Sequence, residues 1–339
     1  MLGGPVYYIR KAYKGAFGKF LAGFFAVALI LALGFIGSMV QSNSISESLN
    51  TALSIPTWVI GLVVAAIAAF IFIGGIQRIA TVTEKMVPIM AILYLVIGLI
   101  VLVANITKIP EAFALIFKYA FAPQAIIGGS LGAALKAAIS QGVKRGLFSN
   151  EAGMGSTPHA HAQANVEKPH DQGVVAMIGV FIDTFIVLTM TALVVISTLY
   201  TSGGVLADGL QSGEMMSGLV IGKSNLMQLA VSTVFGSTVG NTLVAICLFF
   251  FAFSTILGWN FFGKQNVQYL FGKKATVVYS VLAIAFIFLG SLFQNDLVWE
   301  LADMFNNIMV IPNVIALIPL SAMVVAAVKE AKKDHTLKK

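Results

Sequence analysis

The sequence predicts an all-α membrane protein of about eight transmembrane helices. Three observations carry the prediction. Of 339 residues, 58% are hydrophobic and 10% charged, with a mean hydropathy of +0.92, whereas soluble domains carry about a quarter charged residues. The apolar residues come in runs long enough to cross about 30 Å of hydrocarbon as helices. The charges lie between those runs, with Lys136 and Asp183 as the exceptions.

The runs fall at 20–46, 57–77, 86–106, 124–143, 173–200, 238–263, 275–294 and 304–328. Ahead of them, residues 1–19 (MLGGPVYYIRKAYKGAFGK) mix aromatic and basic side chains, as an interfacial helix on the inner leaflet does. The first run is too long for the apolar region of a signal peptide and carries no small-residue cleavage site. Residues 108–121 read as an amphipathic outer helix with Pro110 near its first turn, and 201–225 as a glycine-rich outer loop. Residues 296–310 read as a lead-in to the last crossing, which is expected to kink around Pro312 and Asn313.

Basic residues set the orientation. With the N-terminus in the cytoplasm, 21 Lys and Arg divide unevenly. Lys108, Lys118 and Lys223 face outward, Lys136 lies in a span, and all the rest are cytoplasmic. This requires an even number of crossings, with both termini inside the cytoplasmic membrane. The net charge of +7 therefore belongs to membrane orientation and not to a nucleic-acid partner. A single cysteine, Cys247, excludes an intramolecular disulfide. No catalytic triad, phosphate loop or zinc-protease helix is present. His159 and His161 have no Cys or acidic partners at metal-ligand spacing. The sequence reads as a protein that is not an enzyme.

The stretch 124–163 stands apart. It opens as a glycine-loosened span with Lys136 at its centre, closes on Lys144 and Arg145, and runs on into SNEAGMGSTP. In lipid, an interrupted helix survives only where protein covers it or where it lines a wet cavity. Transporters aim such breaks at a substrate or ion; a small-residue packing face is the competing reading. Gln41 and Asn43, in VQSNS, are either site residues or interhelical hydrogen-bond donors. Asp183, in FIDT, can bind a cation, relay a proton or pair with a base. Lys136 is its basic counterpart, or else snorkels toward the cytoplasm. In FAFSTILGW, Ser254 and Thr255 offer oxygens to a hard cation such as sodium, and Trp259 follows one turn later. The alternative has both hydroxyls bonded back to their own helix and Trp259 at an interface.

The runs GVKRGLFSNEAGMGSTPHAHA, FIDT and FAFSTILGW, with GGPVYYI, MVQSNS and IPNVIAL, resemble the alanine or glycine:cation symporter family. They extend over essentially the whole chain. The resemblance implies a LeuT-like inverted-repeat transporter fold in one transmembrane domain, 1–339. In it, 20–106 is the remainder of the first repeat, 124–328 the second, and 329–339 a cytoplasmic tail. On this alignment the chain begins after the family's first helices, so the fold is expected to be incomplete at the N-terminus. Those helices would come from a longer reading frame or from a partner in trans. The resemblance also implies a broken helix over 124–143, then a cytoplasmic signature loop with Ser149, Asn150, Glu151, Gly153 and Gly155. It assigns Gln41, Asn43, Leu135, Ile139, Thr255 and Trp259 to a small neutral amino acid, and Ser254 and Thr255 to sodium. The implied activity is sodium-coupled symport of alanine or glycine by alternating access, with no cofactor beyond the ion. The alternatives are a non-transporting membrane fragment, one part of a split transporter, or another solute on the same fold.

Overall fold

A computed structural model describes residues 3–121, 131–207, 215–216, 219–220 and 225–337. The described chain is helical apart from one short hairpin, Met215–Met216 against Leu219–Val220. Among the described residues, five helices are long and apolar enough to cross a membrane: α2 (Gly15–Leu53), α4 (Gly75–Ala104), α8 (Pro169–Tyr200), α10 (Ser237–Phe271) and α12, which runs from Asn295. Three shorter apolar helices accompany them: α3 (Thr57–Ile73), α9 (Leu226–Phe235) and α11 (Ala275–Gly290). This is the architecture of a multi-pass membrane protein. The remaining helices are α1 (Pro5–Ala12), α5 (Ile109–Phe121), α6 (Leu131–Asn150) and the single turn α7 (Pro158–His161).

Several boundaries differ from the sequence reading. The charged connection expected between 77 and 86 is helical, because α4 starts at Gly75 and carries Arg78, Glu84 and Lys85 on its first turns. Arg78 satisfies the end of α3, donating to the Phe70 carbonyl at 2.8 Å and lying over the Phe70 ring. The span expected to end at 143 runs on to Asn150, and the polar run begins inside the helix. Residues 124–130, where the break was expected to begin, lie outside the described residues; α6 itself is continuous. Residues 296–310 are not a separate crossing: α12 is one helix from Asn295 to Leu337 with Pro312 and Pro319 inside it. The helix α9, just past the outer loop, went unread.

The core is organised by α10. Trp259 and Phe262 pack with Phe25, Leu29 and Met309 from α2 and α12. Phe253 and Leu257 pack with Val64 and Ile287 from α3 and α11. Val244 and Cys247 pack with Val101, Val194 and Val231 from α4, α8 and α9. At about 1.5 Å per residue its 35 residues extend about 52 Å, so one helix passes through all three clusters. The apolar face of α1, Val6 and Ile9, is buried in the first cluster, and Tyr13 donates to the Ile315 carbonyl of α12 at 3.0 Å. Protein therefore covers the face that the sequence would lay on a leaflet. By contrast, α8 turns Val174, Ile178 and Ile186 outward, the composition of a lipid-facing surface.

Candidate functional site

Two helices lose α-helical geometry where polar residues gather. In α2 the segment Ile30–Gly37 is π-helical and leads directly into Gln41 and Asn43. In α8 the segment Ile182–Val187 is π-helical and carries Asp183. Single π turns widen the backbone, redirect side chains and recur at functional sites. Sequence periodicity gives no sign of either.

A cavity of about 1060 Å³ opens between α8 and α10, lined by Thr255, Gly258 and Trp259 on one side and by Asp183, Ser149 and Glu151 on another. A second, of about 370 Å³, is walled by apolar side chains with Tyr94, Thr191, Ser149 and Asp183 among them. Ser149 and Asp183 line both cavities, and the Ser149 hydroxyl donates to the Asp183 carboxylate at 2.8 Å. That bond stands where the two spaces meet.

Trp259 is buried, and its indole N–H donates to the Glu151 carboxylate. Phe148 meets the indole edge-on at 5.7 Å. On its far side the ring lies against Gly37, where an added Cβ would fall 2.6 Å from the indole. Only a residue without a side chain permits that approach. It places the end of the π segment, one turn before Gln41, directly against the cavity wall.

Ser254 and Thr255 separate. Both hydroxyls donate to the Phe251 carbonyl at 2.9 Å, the back-bonding weighed from the sequence. Thr255 lines the large cavity, whereas Ser254 sits 3.8 Å from the Met90 sulfur of α4. With its proton committed to Phe251, the Thr255 oxygen retains lone pairs for a cation or an ammonium group. Asn43 is buried, donating to the Gly290 and Phe293 carbonyls at 2.9 Å each and accepting from Asn295 at 2.9 Å. Its amide closes the α11–α12 turn. Gln41 is half-buried on the same helix. Ile139 is 58% exposed and is not among the residues lining either cavity. The Leu135 side chain lies outside the described residues. Lys136 is exposed, and the described partner of Asp183 is Ser149.

The signature run folds tightly. Asn150 ends α6, donating to the Thr184 hydroxyl and accepting from the Ala152 amide at 3.0 Å. Glu151 takes a left-handed conformation, φ 56°, as does Gly155 at φ 77°. Asn313 of α12 donates to the Gly153 carbonyl at 2.9 Å and accepts from the Tyr8 hydroxyl of α1. The expected kink region is thus a docking point for this run. Ser156, buried, donates to Glu151. Burial pushes the Glu151 carboxyl above the ordinary carboxylate range, and neighbouring Asp183 pushes it the same way.

Just beyond, His159 is buried between the rings of Phe25 and Phe262. Its Nδ1 lies 2.7 Å from the Ser156 carbonyl, and its Nε2 is 2.8 Å from the Asn266 amide nitrogen. That amide also donates to the Phe262 carbonyl, so its NH2 group faces the imidazole. His159 is therefore neutral, protonated on Nδ1, and burial pushes its pKa down to about 4. The sequence reading weighed this histidine only as a metal ligand, named Asn313 only as part of a kink, and missed Ser156 and Asn266. It also missed Arg145, which grips Asp303 bidentately at 2.9 and 3.2 Å while lying over Trp299.

The pattern of the sodium:alanine symporter family matches residues 1–339. The sodium/alanine symporter AgcS of Methanococcus maripaludis is 38% identical over 97% of this chain and 69% of its own. The amino-acid carrier protein AlsT of Bacillus subtilis is 35% identical over 98% of this chain and 66% of its own. The sodium/proton-dependent alanine carrier protein of Bacillus sp. strain PS3 is 36% identical over 91% of this chain and 68% of its own. The chain spans about two thirds of the length of these relatives.

Proposed function

Because this chain belongs to the sodium:alanine symporter family, a family of transporters and not of enzymes, we propose that it takes part in sodium-coupled uptake of a small neutral amino acid. The observation that carries the proposal is the placing of Thr255, Gly258 and Trp259 on one wall of the large cavity. Thr255 presents a hydroxyl oxygen whose proton is already donated, a ligand suited to sodium or to a substrate ammonium. At Gly258 the backbone is bare. Trp259 is pinned from behind by Glu151, Phe148 and Gly37, so its ring limits the side chain that fits beside it. An extra methylene shifts such discrimination by about 1–3 kcal/mol, which makes alanine against glycine a matter of degree.

The fold reading is a LeuT-like inverted repeat with both termini cytoplasmic. It is supported by the family, the long helices and the π-helical interruptions beside the cavity. Gln41 belongs to the substrate site on this reading, one turn past the glycine under Trp259. Ser254 is the weaker half of the sodium pair, since it faces Met90. Asn43 acts by holding the α11–α12 turn. Sodium and substrate sharing the Thr255 wall bind cooperatively, each raising the other's affinity by the same factor. One cation moving inward supplies about 2.3 kcal/mol per 100 mV. The bundle then rocks about the site, and the Ser149–Asp183 bond is the contact between the two cavities that such a motion must break.

Uptake of labelled alanine into proteoliposomes tests the proposal. An inward sodium gradient is expected to drive accumulation above the equilibrium level. Uptake indifferent to sodium in the wild type would remove the coupling.

A further inference from the structure

Glu151 is not absorbed by a site for an amino acid and sodium. Its carboxyl is enclosed by the buried Ser156 hydroxyl and the Trp259 indole, both neutral. The elements around it offer no counter-charge among the described residues. Helix α8 presents Asp183, which is like-charged and bound to Ser149. From α10 come Thr255 and Trp259, which carry no charge. The turn α7 contributes His161 to the same cavity; its Nδ1 lies 2.7 Å from the Gln172 amide nitrogen, and burial lowers its pKa. On α6, Arg145 is committed to Asp303. A carboxyl so enclosed, with no basic partner among the described residues, is expensive as an anion.

We propose that Glu151 is a proton-binding site in the wall of the cavity, and that its protonation state sets how firmly Trp259 is held. Resting on the reading of Trp259 as a cavity wall, this deepens it. An indole N–H can only donate, so Oε1 accepts in both states; the proton belongs on Oε2, where it is donated to the Ser156 hydroxyl oxygen, which donates to Oε2 when the carboxylate is bare. Release is a plain acid–base step: the Oε2–H bond breaks, the proton passes to water in the cavity, and the electron pair stays on the carboxylate. The anion then makes a charge-assisted bond to the indole, about twice as strong as the neutral one. Deprotonation pins Trp259 and protonation loosens it. The left-handed backbone at Glu151 aims the carboxyl inward, and the Asp183 charge favours the protonated form.

The test uses the full chain with Trp58→Phe and Trp299→Phe, leaving Trp259 as the sole tryptophan, excited at wavelengths where tyrosine does not absorb. Its emission is expected to titrate with a midpoint above the ordinary carboxylate range. Glu151→Gln should flatten that titration, and Asp183→Asn should move its midpoint down. An unchanged titration in Glu151→Gln overturns the proposal. Infrared spectra of the wild type decide the matter even if a variant fails to fold. A shielded carboxylic acid band that persists above the ordinary carboxylate range and is lost on further alkalinisation is expected, and its absence overturns the assignment. Neither readout requires transport. A protein that titrates as described but fails to accumulate alanine keeps the proton site and loses the transport reading.

Discussion

Acid sensitivity at His159 is the prediction with the most complete physical account. Asn266 turns its NH2 group toward Nε2 because the same nitrogen must also satisfy the Phe262 carbonyl. Protonating Nε2 would set two donors face to face between Phe25 and Phe262. Burial between the two rings lowers the pKa from 6.5 to about 4. The unfolded chain then takes up the proton first as pH falls. Stability is complete above about pH 6.5, declines toward pH 4, and changes no further from this group below that. At 1.36 kcal/mol per unit the loss is about 3 kcal/mol. Denaturant unfolding in detergent, in steps across that window, measures it. His159→Gln removes both ring stacks and should be the less stable protein at neutral pH. It has nothing to titrate, so its deficit against wild type should shrink by about 3 kcal/mol on acidification. A constant deficit, or an imidazole resonance of His159 titrating at or above its ordinary value, would refute the reasoning.

Other contacts give sharper single-residue outcomes. Asn43→Ala leaves two turn carbonyls without their donor and takes from the Asn295 amide one of its two acceptors, the other being Glu47, and should cost about 2–3 kcal/mol in unfolding free energy. Gly155→Ala places a Cβ 2.7 Å from Asn313 on a left-handed backbone. It should cost about 1–3 kcal/mol and raise protease cleavage within 151–157. Arg145→Lys gives up the bidentate grip on Asp303 and the planar contact with Trp299, for a loss of about 1 kcal/mol seen as a lower melting temperature. Gly37→Val drives a side chain into the Trp259 ring; the half-saturating alanine concentration should rise by about 5–150-fold, the equivalent of 1–3 kcal/mol of overpacking.

Much of this molecule was legible because lipid imposes harsh rules on sequence. Long uncharged runs mark α2, α4, α8, α10 and α12, and the lone acid Asp183 does line the cavity. Thr255 and Trp259 share one wall because residues four apart in a helix share a face. Ser254, only one residue away, points elsewhere for the same reason, and the adjacency that made the pair attractive in sequence concealed their divergence. Of the shorter helices, α3 and α11 start where the sequence runs start, whereas α9, ten residues long with Gln228 buried in it, is too short for hydropathy to mark as a crossing. What could not be read were contacts made across long separations by ordinary residues. Asn313 receives Tyr8 and holds Gly153, and Asn266 fixes His159. Neither amide carries any local sign of its partner. Nor do the π segments, whose extra residue per turn leaves hydropathy unchanged.

Sodium-dependent binding of labelled alanine to the purified chain, compared with Thr255→Val, tests the central claim most directly. Sodium should tighten alanine binding in the wild type, and alanine should tighten sodium binding by the same factor. Thr255→Val, which keeps the shape but removes the oxygen, should abolish that mutual effect. Alanine binding that responds equally to sodium with and without the Thr255 hydroxyl would contradict the account.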